Sequence, residues 1–100
     1  MDGNGAVAFL ERWYASYCDG EWEHDEGVRV TTLDNPGWMV TVNLIGTNEE
    51  GRTCAKTELN RAEDDWLHVS ADGRRFQAAG GPRNLGEALE AFRRFVEEND

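Results

Sequence analysis

One hundred residues suffice for one compact core and are too few for two ordinary domains, so a single domain over residues 1–100 is expected. With 39% apolar residues and four tryptophans, the chain can bury enough surface to fold although 30% of it is charged, so a folded rather than a disordered chain is expected. Twenty acidic against ten basic side chains leave a formal charge of −10, a field that repels nucleic-acid phosphates and suits either high solubility or a basic protein partner.

The opening Met1-Asp2-Gly3-Asn4-Gly5 carries no basic leader. No apolar run approaches the roughly 20 residues of a membrane span, so a cytoplasmic protein is expected. Ala6 to Tyr17 reads as a helix, since Val7, Leu10, Tyr14 and Tyr17 recur at three- and four-residue steps while Phe9 and Trp13 widen the same face. Asp19-Gly20 supplies the stop, because glycine tolerates the left-handed conformation that closes a helix. Glu21 to Glu26 then forms an acidic loop.

A hairpin follows. Val28, Val30 and Thr32 alternate with Arg29, Thr31 and Leu33; beyond Asn35-Pro36-Gly37, Trp38, Val40, Val42 and Leu44 alternate with Met39, Thr41, Asn43 and Ile45. Pro36 and Gly37 are expected at the centre of a type II turn, with Gly37 at positive φ. Thr53 to Leu59 reads as a third strand, and Trp66 to Ala71 and Arg74 to Ala78 as a pair joined by Asp72-Gly73 in a two-residue turn. Gly80-Gly81-Pro82 breaks the sheet. Asn84 and Glu87 open a last helix as a capping box, with Leu85, Ala88, Leu89, Phe92 and Val96 on its buried stripe. The order is α+β: an N-terminal helix, an antiparallel sheet of about five strands, and a C-terminal helix, with both helices on one face of the sheet.

Little in this chain has the form of catalytic machinery. Ser16 and Ser70 lack a nucleophile elbow, Cys18 has no activating surroundings, and Gly80-Gly81-Pro82 has no lysine at P-loop spacing. His24 and His68 stand alone in their segments without ligand spacing such as HExxH, so no metal, cofactor or catalytic residue is expected. Cys18 and Cys54 form no CxxC pair and read as reduced core residues. The tryptophans divide. Trp13 and Trp38 sit on apolar stripes, whereas Trp22 and Trp66 stand among carboxylates, as an anchor for a basic partner would.

Several blocks carry a family resemblance: Trp13-Tyr14, Cys18-Asp19-Gly20-Glu21-Trp22-Glu23-His24, Gly27-Val28, Thr32-Leu33-Asp34-Asn35-Pro36-Gly37-Trp38, Gly46-Thr47, Asp65-Trp66 and Gly80-Gly81-Pro82 to Leu85. The chain resembles the immunity protein 53 family of bacterial polymorphic-toxin systems over most of its length, loosely between Glu49 and Glu63. The resemblance implies a non-catalytic inhibitor that binds the toxin domain of a cognate effector and protects the cell or its kin. On that reading Asp19, Glu21, Trp22, Glu23, His24, Asp25, Glu26, Asp34, Asn35, Asp65 and Trp66 are candidate toxin contacts. Gly20, Pro36, Gly37 and Trp38 are candidate structural positions. The charge of −10 suits a basic toxin such as a nuclease. The alternative is a small metal-dependent or carboxylate hydrolase built on Glu23, His24 and Asp34.

Overall fold

A computed structural model describes residues 3–25 and 27–98. Their order is α1 (Gly3–Tyr17), one turn of 3-10 helix (Trp22–His24), β1 (Val28–Leu33), β2 (Gly37–Asn43), β3 (Thr53–Ala62), β4 (Asp65–Asp72), β5 (Arg75–Gly80) and α2 (Leu85–Glu98). The strands form one antiparallel sheet in the order β1-β2-β5-β4-β3. This is the expected α+β architecture.

Strand alternation decides which face is covered. Val40 and Val42 of β2 pair with Ala78 and Phe76 of β5, which pair in turn with Val69 and Ala71 of β4, so one continuous apolar layer forms. α2 lays Ala88, Leu89, Phe92, Phe95 and Val96 on it, and the Phe76 ring lies 5.2 Å from both Phe92 and Phe95. α1 packs beside α2, with Trp13 edge-on to Phe92 at 4.9 Å. Trp13 donates its Nε1–H to Glu49 over 3.2 Å, which gives that buried carboxylate a partner inside the core.

Four local expectations are corrected. α1 begins at Gly3 and centres Ala6 and Trp13 in the core; Phe9, Leu10, Tyr14 and Tyr17 of the expected face pack against that core, but Val7 is 42% exposed. Gly37 is absent from the residues at positive φ, so the hairpin does not use it as the left-handed position of a type II turn. A Cβ built there would fall on the carbonyl oxygen of Gly80 and lie 3.4 Å from the Trp66 ring, so glycine is required by the close approach of β5. The β4–β5 turn consists of Gly73-Arg74, one residue later than expected, with Gly73 at φ 92° and Asp72 Oδ1 accepting the Arg74 and Arg75 amides. Cys18 is exposed, not in the core; Cys54 is half-buried, and both are free thiols.

β3 runs on to Ala62 because Asn60 pairs with Trp66 and Ala62 with Asp65, beyond the expected end at Leu59. At the start of α2, Asn84 bonds Glu87 side chain to side chain, Nδ2 to Oε1 at 2.9 Å, in place of the reciprocal backbone box. The same Nδ2 reaches Asp65 Oδ1 at 3.0 Å.

Candidate functional site

The candidate contact residues occupy two opposite ends of the sheet. The acidic loop enters β1, and Asp34 and Asn35 leave it, so six strand residues, about 20 Å at the usual rise, separate the two groups. The hydrolase alternative is therefore not assembled: Asp34 stands at the far end of β1 from Glu23 and His24. Among the described residues no group of three or more His, Cys, Asp or Glu is placed to hold a metal ion.

At the first end, the loop is built by its own carboxylates. Asp19 Oδ1 accepts the amides of Glu21 and Trp22 at 2.9 and 3.0 Å, and the Glu23 carboxylate accepts those of Asp19 and Gly20 at 3.0 and 2.9 Å. Gly20 takes φ 94°, the left-handed conformation expected of it. Amides of Trp22 and Glu21 hold the Asp19 carboxyl below the ordinary range; those of Glu23 itself, Asp19 and Gly20 do the same for Glu23. Asp19 and Glu23 thus serve the loop before any partner. Glu21, His24 and Asp25 are exposed, and Glu26 lies outside the described residues.

Trp22 is turned inward. It is 8% exposed, with ring centroids 5.7 Å from Trp13, 5.6 Å from Tyr14 and 5.8 Å from Tyr17. A buried indole surrounded by three rings is a core residue in this structure, not a surface anchor. The carboxylates on either side of it in sequence are what gave it the look of an exposed contact.

Acid should loosen this loop. A carboxyl group whose folded pKa is depressed contributes stability above its unfolded value and loses that contribution as pH falls through its folded value. The melting temperature should accordingly fall as pH drops below the ordinary carboxylate range, and Asp19→Asn should melt with a shallower acid dependence than wild type. Equal slopes in the two proteins would show that the Asp19 hydrogen bonds contribute nothing on folding.

At the second end, the remaining motif residues are knitted together. Trp38 donates Nε1–H to the Pro82 carbonyl at 3.0 Å, and the Gly81 amide donates to the Trp66 carbonyl at 3.2 Å. Arg61 bridges Asp65 at 2.8 Å and Glu87 at 2.6 Å. The guanidinium and then the Asn84 amide hold both carboxyls below their ordinary range, and the two anions raise Arg61 in return. Gly81 is needed here as well, since a Cβ would lie 2.7 Å from the Asp64 carbonyl oxygen. Asp34, Asn35 and Pro36 are exposed at the hairpin tip. Trp66 is half-buried on the sheet face away from the helices, its ring tilted against that of His68 with centroids 5.0 Å apart.

Sequence reasoning missed the groove between α1 and β1, about 330 Å³, floored by Val7, Leu10, Val28, Val30, Leu85 and Leu89 and bordered by Glu11 and Glu23. Its signal in the sequence is the apolar line Val7-Leu10-Tyr14 of α1, of which Leu10 and Tyr14 serve both the core and the groove while Val7 faces the groove alone. Among the described residues no helix is long and apolar enough to cross a membrane.

No curated protein and no solved structure matches this chain significantly. The family model described as immunity protein 53 matches residues 7–97, a span that takes in the acidic loop, the hairpin, the whole sheet and nearly all of α2. Both ends of the sheet described above fall inside that match, and the chain belongs to the immunity protein 53 family.

Proposed function

We propose that this protein neutralises the toxin domain of a bacterial polymorphic-toxin effector by binding it in the cytoplasm, as a single domain and without catalysis, and so protects the producing cell or its kin. The observation that carries this reading is membership of a family of immunity proteins, which implies a toxin protein as the partner. The charge of −10 favours a basic toxin, a nuclease being the class whose substrate groove must attract phosphates. Within the acidic loop the exposed Glu21 and Asp25, with His24 between them, are the side chains we assign to the encounter. Asp19 and Glu23 hold the loop in shape.

The direct experiment is growth rescue by co-expression with the toxin domain encoded beside this gene, paired with calorimetry on the two purified proteins. Rescue with a one-to-one complex is the expected result; growth arrest with no detectable complex would sink the reading. Reversing Glu21 and Asp25 together to lysine should slow association about tenfold and leave the melting temperature nearly unchanged, because exposed charges steer encounter more than they support a core. The wild-type association rate should also fall as salt rises, since the field is screened over about 8 Å at physiological ionic strength. An association rate indifferent to both salt and the double reversal would remove this loop from the contact.

A further inference from the structure

The two edges of the sheet are built differently. Along β3 the register shifts twice, between Cys54 and Thr57 and between Asn60 and Ala62, and the strand carries a Lys56–Glu58 ion pair at 3.1 Å as well as Arg61. Bulges and charges of this kind keep an edge from pairing with another chain. β1 is less protected: Val28-Arg29-Val30-Thr31-Thr32-Leu33 holds an unbroken register on β2, contains no proline and bears the single charge of Arg29. The Asn43 amide donates to the Gly27 carbonyl at 2.8 Å, which makes those two a hydrogen-bonded pair. By antiparallel alternation Val28, Val30 and Thr32 then turn their N–H and C=O groups to the open side.

Those same residues point their side chains toward the helices, where the groove between α1 and β1 begins. Val7 and Val30 are 42% and 43% exposed in it, and its charged lining is Glu11 and Glu23. The corresponding groove beside β3 also has an apolar floor, with Leu59, Leu67, Val69 and Phe95, but four charged side chains border it, Glu87, Glu90, Arg94 and Glu98, one of them basic. We propose that the open edge of β1 receives an extended segment of the toxin as a sixth strand. Its inward side chains are apolar and fill the groove, and a lysine or arginine among them meets Glu11 and Glu23. Charge selects this occupant over a second copy of the chain. Another copy brings a further −10, and the inward residues of its β1 are Val28, Val30 and Thr32, none of them basic. This inference rests on the toxin-binding reading above and locates it, since Glu23 belongs both to the groove and to the acidic loop.

Val30→Pro tests the edge, because it deletes an N–H that faces outward while leaving the β2 ladder intact, and edge strands tolerate proline. The variant should melt close to wild type and bind the toxin domain about 100-fold more weakly, the loss expected of a central contact. Leu59→Lys, beside β3, should bind within about threefold of wild type, as a substitution outside the contact does. Hydrogen exchange on the wild-type complex provides an independent readout and decides the matter if Val30→Pro fails to fold: the Val28, Val30 and Thr32 amides should become protected when toxin is added. A folded Val30→Pro that binds as wild type, or unchanged exchange at those amides in the complex, would overturn the proposal. So would a toxin-free dimer abolished by Val30→Pro, which would give the edge to a second copy. Failure of the wild-type protein to bind toxin at all would instead refute the toxin-binding reading itself.

Discussion

Trp22→Ala should lower stability by about 3–5 kcal/mol, the range for emptying a buried aromatic site that cannot fully collapse. The indole fills the space between α1 and the acidic loop, touching Trp13, Tyr14 and Tyr17, and its own amide is one of the two that Asp19 holds. Alanine would therefore remove the packing that seats the loop against α1, and a domain of this size has only about 5–15 kcal/mol to lose. Trp22→Phe is the informative companion. The indole Nε1–H is buried without an acceptor among the described residues, so phenylalanine deletes no hydrogen bond to them and should retain most of the stability and the wild-type association rate with toxin. Denaturant titration and association kinetics on the two variants separate the possibilities. If Trp22→Ala kept its stability and lost only toxin binding, Trp22 would be a contact residue and the packing account would be wrong.

The residues around Trp22 show what could be read from sequence and what could not. Periodicity carried the element order, because the 3.6-residue stripe of α2 and the two-residue alternation of β1 and β2 are produced by the same burial they predict. Phe95 joined the buried face of α2, but the rest of its stripe was legible. Side-chain direction within an acidic segment was not legible, since Glu21-Trp22-Glu23 has no period. The hydrogen bonds that nearby backbone amides donate to the Asp19 and Glu23 carboxylates exist only once the loop has turned. Val7 was misplaced for a related reason. α1 is apolar over a wide arc: Leu10, Tyr14 and Tyr17 pack against the core as expected, but packing of Trp13 on Phe92 of α2 centres the buried face on Ala6 and Trp13 and leaves Val7 at its margin. The division of the candidate contacts between two ends could have been deduced: residues before and after one strand of a hairpin must lie a strand length apart.

Gly37→Val should cost about 3 kcal/mol or more, the upper part of the range for forcing atoms into a packed site. The type II turn expected from the sequence would make valine costly through its resistance to positive φ, but the cause in the structure is different. Gly37 opens β2 where β5 ends, and the Gly80 carbonyl oxygen occupies the place its Cβ would take. That obstacle is backbone, flanked by the Trp66 ring, and neither can rotate away as a flexible side chain would. The two causes predict different results for Gly37→Ala. A turn needing positive φ would charge alanine for its backbone conformation alone, whereas here the first carbon added already meets Gly80, so alanine should lose most of what valine loses. Relief should come from the other side of the contact and not from the hairpin tip: altering Asn35 or Pro36 should not rescue Gly37→Ala. Thermal melts of Gly37→Ala, Gly37→Val and the Asn35→Gly/Gly37→Ala double variant would decide it. An alanine variant as stable as wild type would mean that the β2 and β5 backbones stand farther apart at this end than described. The Trp38–Pro82 and Gly81–Trp66 hydrogen bonds, which depend on the same approach, would then be longer and weaker as well.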